Sequence, residues 1–262
     1  MNDDKPQPHA RRIFLKQVAT LVSVAPLAGE AGAAAPGARA GATARATPAT
    51  AHAWRFLNAE ESRALEAAVA RLIPADDDGP GAAEAGVAAF IDLQLAGAWG
   101  NGEQFYQKGP FAAGTPQQGY QLAFTPAAMF RLGLAKLDES ARKSGGAAFA
   151  DLPAAQQDEM LAQAEHGKLD FGPLPSAVFF ASLLDATMEG FFSDPIYGGN
   201  RDKIGWKLVG FPGVAAVYTT FVDKHGVPYN AEPVSIVDIL ERRAEVDEHG
   251  HPKHVLLAKK ER

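Results

Sequence analysis

The 262-residue chain contains no cysteine. That excludes disulfide bonds, thiolate ligation of iron–sulfur clusters and thioether attachment of haem. It also lacks a glycine-rich loop to cradle phosphate and a G-x-S-x-G nucleophile elbow. No stretch holds the roughly 20 consecutive apolar residues of a membrane-spanning helix. Basic charge is in deficit: 25 Lys and Arg stand against 31 Asp and Glu, a formal net charge of −6. Without a basic stripe to neutralise phosphates, nucleic acid is a poor partner. Strand-like alternation is scarce and no internal repeat of fixed period occurs. The fold therefore rests on packing alone, and about 210 residues beyond the N-terminal region suffice for one good core or two small ones.

The N-terminus carries an address. Ala10-Arg11-Arg12-Ile13-Phe14-Leu15-Lys16 resembles the bacterial twin-arginine export signal at Arg11, Arg12, Phe14, Leu15 and Lys16, with Ala10 where Ser or Thr is usual. A modest apolar run, Val18 to Ala28, follows and is interrupted by Thr20, Ser23 and Pro26. Its length and flanks suit a signal peptide rather than a membrane span. Small-residue cleavage sites occur at Ala31-Gly32-Ala33 and at Ala38-Arg39-Ala40. Cleavage after Ala33 removes four basic and three acidic residues and takes the formal charge from −6 to −7. Twin-arginine export moves folded proteins, often because a cofactor has been inserted in the cytoplasm. This chain shows no cofactor-binding motif of its own, a mismatch that suggests a cofactor held by a partner.

The expected organisation is a signal peptide over 1–33, an Ala/Gly-rich linker over 34–53, a helical domain over 54–240 and a charged tail over 241–262. Asn58 with Glu61 forms a capping-box pattern ahead of Leu65, Val69, Leu72 and Ile73 on one helical face. After an acidic turn, Asp76-Asp77-Asp78-Gly79, a second helix is expected from Ala83 to Ala96. Thr125-Pro126 starts a third, with Phe130, Leu134, Leu137 and Ala141 at helical spacing and Gly145-Gly146 as its stop. Pro153–Glu165 and Ser176–Phe192 complete the set, the latter with an inward stripe of Phe179, Leu183 and Phe191. Residues 97–124 carry Gly, Pro, Gln and aromatics without periodicity, a long irregular loop. The fold class is mainly α, a compact helical domain with long irregular Gly/Pro/aromatic loops.

Asp194 to Gly213 reads DPIYGGNRDKIGWKLVGFPG, with five glycines, two prolines and the aromatics Tyr197, Trp206 and Phe211. Glycines permit positive φ and close backbone approach. Exposed aromatics on such a loop anchor protein interfaces. An Ω-loop folded onto its own helices, with the aromatics buried in cis, satisfies the same composition. Arg201, Asp202 and Lys203 read as a solvated charge cluster or interface rim.

This block resembles the gluconate 2-dehydrogenase subunit 3 family, the small subunit of membrane-bound FAD-dependent sugar and sugar-acid dehydrogenases. The resemblance lies in Asp194-Pro195-Ile196-Tyr197-Gly198-Gly199-Asn200, Gly205-Trp206 and Gly210-Phe211-Pro212-Gly213, with looser similarity at Leu72-Ile73-Pro74, Pro80-Gly81-Ala82 and Phe90-Ile91-Asp92. It implies a heteromeric dehydrogenase of the cell envelope. In such complexes a large glucose-methanol-choline-type flavoprotein carries FAD, and a multihaem cytochrome c subunit passes electrons to quinone. The small subunit holds no redox centre and supplies export and stability. Tyr197, Gly198, Gly199, Asn200, Trp206 and Phe211 are then the expected partner interface, and the location is the periplasm, membrane-associated through partners.

Other constellations point less far. His249, His251 and His254 are spaced closely enough for zinc or copper, but the region is charged and offers no buried frame. An independent metal-dependent enzyme would use them. A periplasmic ligand-binding protein would use 97–124 as a lid. Asp76-Asp77-Asp78 lacks the alternating ligands and distant glutamate of a calcium loop. Asp185 and Glu189, four apart on one helix, read as the polar edge of an amphipathic helix rather than an acid–base pair.

Overall fold

The computed structural model describes residues 52–105, 107–112, 114–115, 118–214, 222–227, 232–249 and 251–256, without the side chains of 253–256. The twin-arginine motif, both cleavage sites and nearly all of the linker lie outside the described residues. Seven α-helices are described: α1 (Ala59–Leu72), α2 (Val87–Leu95), α3 (Pro126–Gly145), α4 (Ala154–Glu165), α5 (Ser176–Phe192), α6 (Ile204–Val209) and α7 (Ile236–Leu240). Among the described residues helices dominate and strand is almost absent.

Local chemistry sets most boundaries. Asn58 Oδ1 accepts from the N–H groups of Glu60 and Glu61 at 2.9 Å each, and Glu61 returns a bond to the Asn58 N–H. Thr125 caps α3 with Pro126 in the first turn, and Gly146, at φ 71°, ends it in the left-handed conformation. The second helix begins later than periodicity suggests. Gly86 is left-handed at φ 72°, so 82–86 form a turn and α2 starts at Val87.

Helices α1 and α5 form the centre. α1 packs against α2, α3, α4 and α5, while α5 also contacts α2, α3, α4 and α6. Leu65, Val69, Ile91, Leu95, Phe130, Leu134, Phe179, Leu183 and Phe191 are buried, as their helical spacing requires. Each large apolar side chain so buried contributes roughly 1.5–3 kcal/mol. The α3–α5 crossing is tight because Gly133 leaves room for the Phe179 ring: a Cβ there would lie 2.1 Å from it.

The tail holds the one sheet among the described residues, an antiparallel pair β1 (Ala244–Val246) and β2 (Pro252–Leu256) with a register irregularity. Three residues of β1 are too few for alternation to be recognised in sequence. The 97–124 loop is anchored at one end by Ala127 N–H donating to the Gly100 carbonyl, and inside it Phe105 stacks on Tyr120 at 5.7 Å.

Candidate docking surface

The 194–213 block is a frame rather than a loose loop. Asp194 divides its carboxylate between two segments: Oδ1 accepts from Ile196 N–H at 3.0 Å, and Oδ2 from Ile236 N–H at 2.9 Å. A single 3-10 turn, Pro195–Tyr197, ends at Gly198. Gly199 then passes against the backbone of α5; a Cβ on it would stand 2.2 Å from the Gly190 carbonyl oxygen. Asn200 is buried, donates from Nδ2 to the Ser193 carbonyl at 2.8 Å and accepts at Oδ1 from Gly205 N–H at 2.8 Å.

Three non-glycine residues here are left-handed: Asn200 (φ 45°), Asp202 (φ 55°) and Lys203 (φ 57°). Such positions cost roughly 1–3 kcal/mol each and persist only where surroundings over-determine them. The surroundings are visible. Arg201 N–H donates to the Ala85 carbonyl at 2.9 Å. Lys203 Nζ reaches Asp238 Oδ2 at 2.9 Å, with both side chains buried. Burial pushes the Asp238 carboxyl up, but Lys203 and the Ser235 N–H and hydroxyl outweigh that and hold it below its usual range. Arg243 lies 2.8 Å from the other carboxylate oxygen, paired by charge though outside hydrogen-bond alignment. Asp202 is exposed and Arg201 half-buried, as a surface charge cluster requires, but Lys203 is not part of a solvated rim: it is an internal strut between the block and α7. The segment 212–214 also pairs with Val234 through two backbone hydrogen bonds.

The aromatics separate into two roles. Trp206 is only 5% exposed and its Nε1–H donates to the Phe192 carbonyl at 2.7 Å. It supports Phe211, whose ring stands edge-on at 5.2 Å. Phe211 is 45% exposed, Tyr197 54% and Ile196 42%. Of the six residues expected at an interface, Asn200, Gly199 and Trp206 build the frame, Gly198 is half-buried, and Tyr197 and Phe211 are presented to solvent. Ile196, not singled out in the sequence, joins them.

Beside Tyr197 runs an open groove of about 420 Å³ over the α2–α5 seam, walled by Phe90, Phe192 and Tyr197 with Gln94, Ser193 and Glu189. Phe90 is buried, as its inward-facing position requires, and lies at the floor of the groove. Gln94, half-buried beside it, was not singled out because one helical face alone does not show where a neighbouring helix ends. Burial against these walls, then the charge of Asp185, hold the Glu189 carboxyl above its usual range.

A second feature escaped the sequence. Asp92 is fully buried, and its carboxylate accepts from the N–H groups of Arg55 (2.8 Å), Phe56 (3.0 Å) and Leu57 (2.9 Å) and meets His52 Nε2 at 2.9 Å. It clasps the point where the N-terminal region enters the domain. The readable signal was a lone acid in VAAFIDLQL, in helical phase with buried Ala88 and Leu95.

Elsewhere, four of the charged residues lining the hollow between α1 and the end of α3 form mutual pairs, Arg63 with Asp151 and Arg142 with Asp138, with Glu60 beside them. His249 and His251 sit on the terminal hairpin with ring centres 6.1 Å apart, and His251 Nδ1 lies 3.1 Å from Asp247 Oδ2. The side chain of His254 is outside the described residues. Among the described residues no group of three or more His, Asp or Glu is placed to hold a metal ion.

A family model described as Gluconate 2-dehydrogenase subunit 3 matches residues 59–213, from the first residue of α1 to the end of the glycine–aromatic block. Comparison with curated proteins and with solved structures found no match.

Proposed function

Because the chain belongs to the gluconate 2-dehydrogenase subunit 3 family, and is thereby a small subunit of such dehydrogenases, we propose that it is the non-catalytic escort and stabiliser of a large FAD-dependent flavoprotein of the glucose-methanol-choline type. The flavoprotein oxidises a sugar or sugar acid, and a cytochrome c subunit takes the electrons onward. The chain's contribution is mechanical. Its twin-arginine signal carries the folded pair to the periplasm, and the rigid 194–213 frame presents Ile196, Tyr197 and Phe211 to the flavoprotein. The observation that carries this reading is the family match over a block whose glycines and buried polar groups hold two aromatics at the surface. No helix among the described residues is long and apolar enough to cross a membrane, so membrane association is assigned to the other subunits.

Co-expression with the flavoprotein tests the escort role. Changing Arg11 and Arg12 together to lysine is expected to leave the flavoprotein in the cytoplasm, as read by fractionation and FAD content; undiminished export would refute the role. The interface is tested separately. Tyr197→Ala with Phe211→Ala should reduce co-purified flavoprotein at least tenfold, as loss of anchors worth about 2 kcal/mol or more predicts. The melting temperature should move by no more than about 2 °C, because exposed positions cost little on truncation.

A further inference from the structure

The groove beside Tyr197 combines two properties that specify its occupant. Phe90, Phe192 and Tyr197 give it aromatic walls, and among the described residues Glu189 is the only charged side chain lining it. It adjoins a smaller hollow of about 160 Å³ that shares Phe90, Gln94 and Glu189 and adds Trp99, Gln104 and Ala186; there too Glu189 is the only charged lining residue among the described ones. No hydrogen bond or ion pair from any described residue reaches its carboxylate. Asp185, one turn earlier on α5, is a like charge that adds to the cost of ionising it. Glu189 is itself solvent-exposed at the groove, so its unpaired carboxylate is open to a partner's cation, and that pairing tightens when the partner covers the groove and excludes water.

We propose that this groove seats a segment of the partner dehydrogenase subunit in which an apolar side chain stands beside an arginine or lysine. The apolar side chain enters between Phe90, Phe192 and Tyr197, and the cation pairs with Glu189. Arginine suits the position better, since its planar fork meets both carboxylate oxygens and stacks on aromatic faces. The inference rests on the subunit reading above and narrows it to one surface and one chemistry.

The test places a photo-cross-linking residue at Gln94, and as control at Glu159 on α4, in the full chain co-expressed with the dehydrogenase subunits. The expected adduct from position 94 joins the flavoprotein at a peptide carrying Arg or Lys within about three residues of the linked apolar side chain; position 159 gives none. In parallel, Glu189→Lys should lower co-purified flavoprotein about tenfold or more, and Glu189→Gln about threefold, without lowering the melting temperature. Adducts from position 197 but not 94, with Glu189→Lys harmless, would overturn the groove and leave the subunit reading standing. Failure of any dehydrogenase subunit to co-purify with the unaltered chain would overturn both. An adduct between two copies of the chain would replace the proposal with self-association. A fall in melting temperature for Glu189→Gln matching the loss of binding would make the residue structural and end the proposal.

Discussion

Asp92→Ala is expected to lower stability by about 3–5 kcal/mol, roughly 10–15 °C in melting temperature for a domain of this size. Its carboxylate gathers three backbone N–H groups and a histidine ring nitrogen in one buried place. Alanine leaves those donors without acceptors, and each buried orphan costs about 1–3 kcal/mol. Asp92→Asn keeps one acceptor oxygen and the shape, so its cost should be roughly half. Limited proteolysis should show new cutting near 52–58 in both variants. If alanine left the melting temperature within about 2 °C, the clasp would carry no energy.

The same residue predicts a pH dependence. Burial raises the Asp92 carboxyl, but the hydrogen bonds from Arg55, Leu57, His52 and Phe56 more than reverse this, leaving it below the ordinary 3.8. The unfolded chain therefore binds more protons than the folded one in the window just below that value. Stability from Asp92 is complete above the unfolded value and is lost as pH falls through the folded one. Denaturant titrations between about pH 5 and 2 should show a fall that is shallower in Asp92→Asn.

The second large effect is expected at Gly205. A methyl group there would stand 2.0 Å from the Phe191 carbonyl oxygen. Backbone cannot step aside as a side-chain end can, so Gly205→Ala must push α6 off α5 and pull on the Asn200 bond to the Gly205 N–H. A cost of about 3 kcal/mol or more follows, or some 6–12 °C in melting temperature, with partner binding lost as well. Gly210→Ala is the internal control. Nothing lies within 4 Å of its methyl, and only the left-handed backbone at φ 70° opposes it, at about 1 kcal/mol. Equal effects at the two positions would mean that the close helix contact does not shape the block.

Much of the fold was legible because its signals are local. The Asn58–Glu61 capping box, Thr125-Pro126, Gly146 and the Phe179–Leu183–Phe191 stripe each act within one or two helical turns, and each appears as read. The family signature was legible for the same reason, as a contiguous run of glycines and aromatics. Apart from the start of α2, displaced by the left-handed Gly86, the misreadings are non-local. Lys203 looked solvated because its counter-ion, Asp238, stands 35 residues away. Trp206 and Phe211 looked equivalent until the Phe192 carbonyl took the indole N–H of one and left the other outside. The role of Asp92 depends on backbone N–H groups 35 to 37 residues before it and a histidine ring 40 residues before it.

The sequence by itself determined a cysteine-free, mainly helical chain, and a glycine–aromatic block resembling one dehydrogenase subunit family, and it offered a stretch that resembles a twin-arginine signal. Composition and short-range periodicity are sufficient for such statements, since capping, helical phase and motif spacing are properties of neighbouring residues. Only the tertiary structure decided which of the block's aromatics are frame and which are surface, that Glu189 stands uncompensated in an aromatic groove, and that Asp92 holds the domain's entry. Those outcomes turn on burial and on pairing across distant segments. A side chain's energy there depends on what the rest of the fold brings against it, which no local pattern encodes.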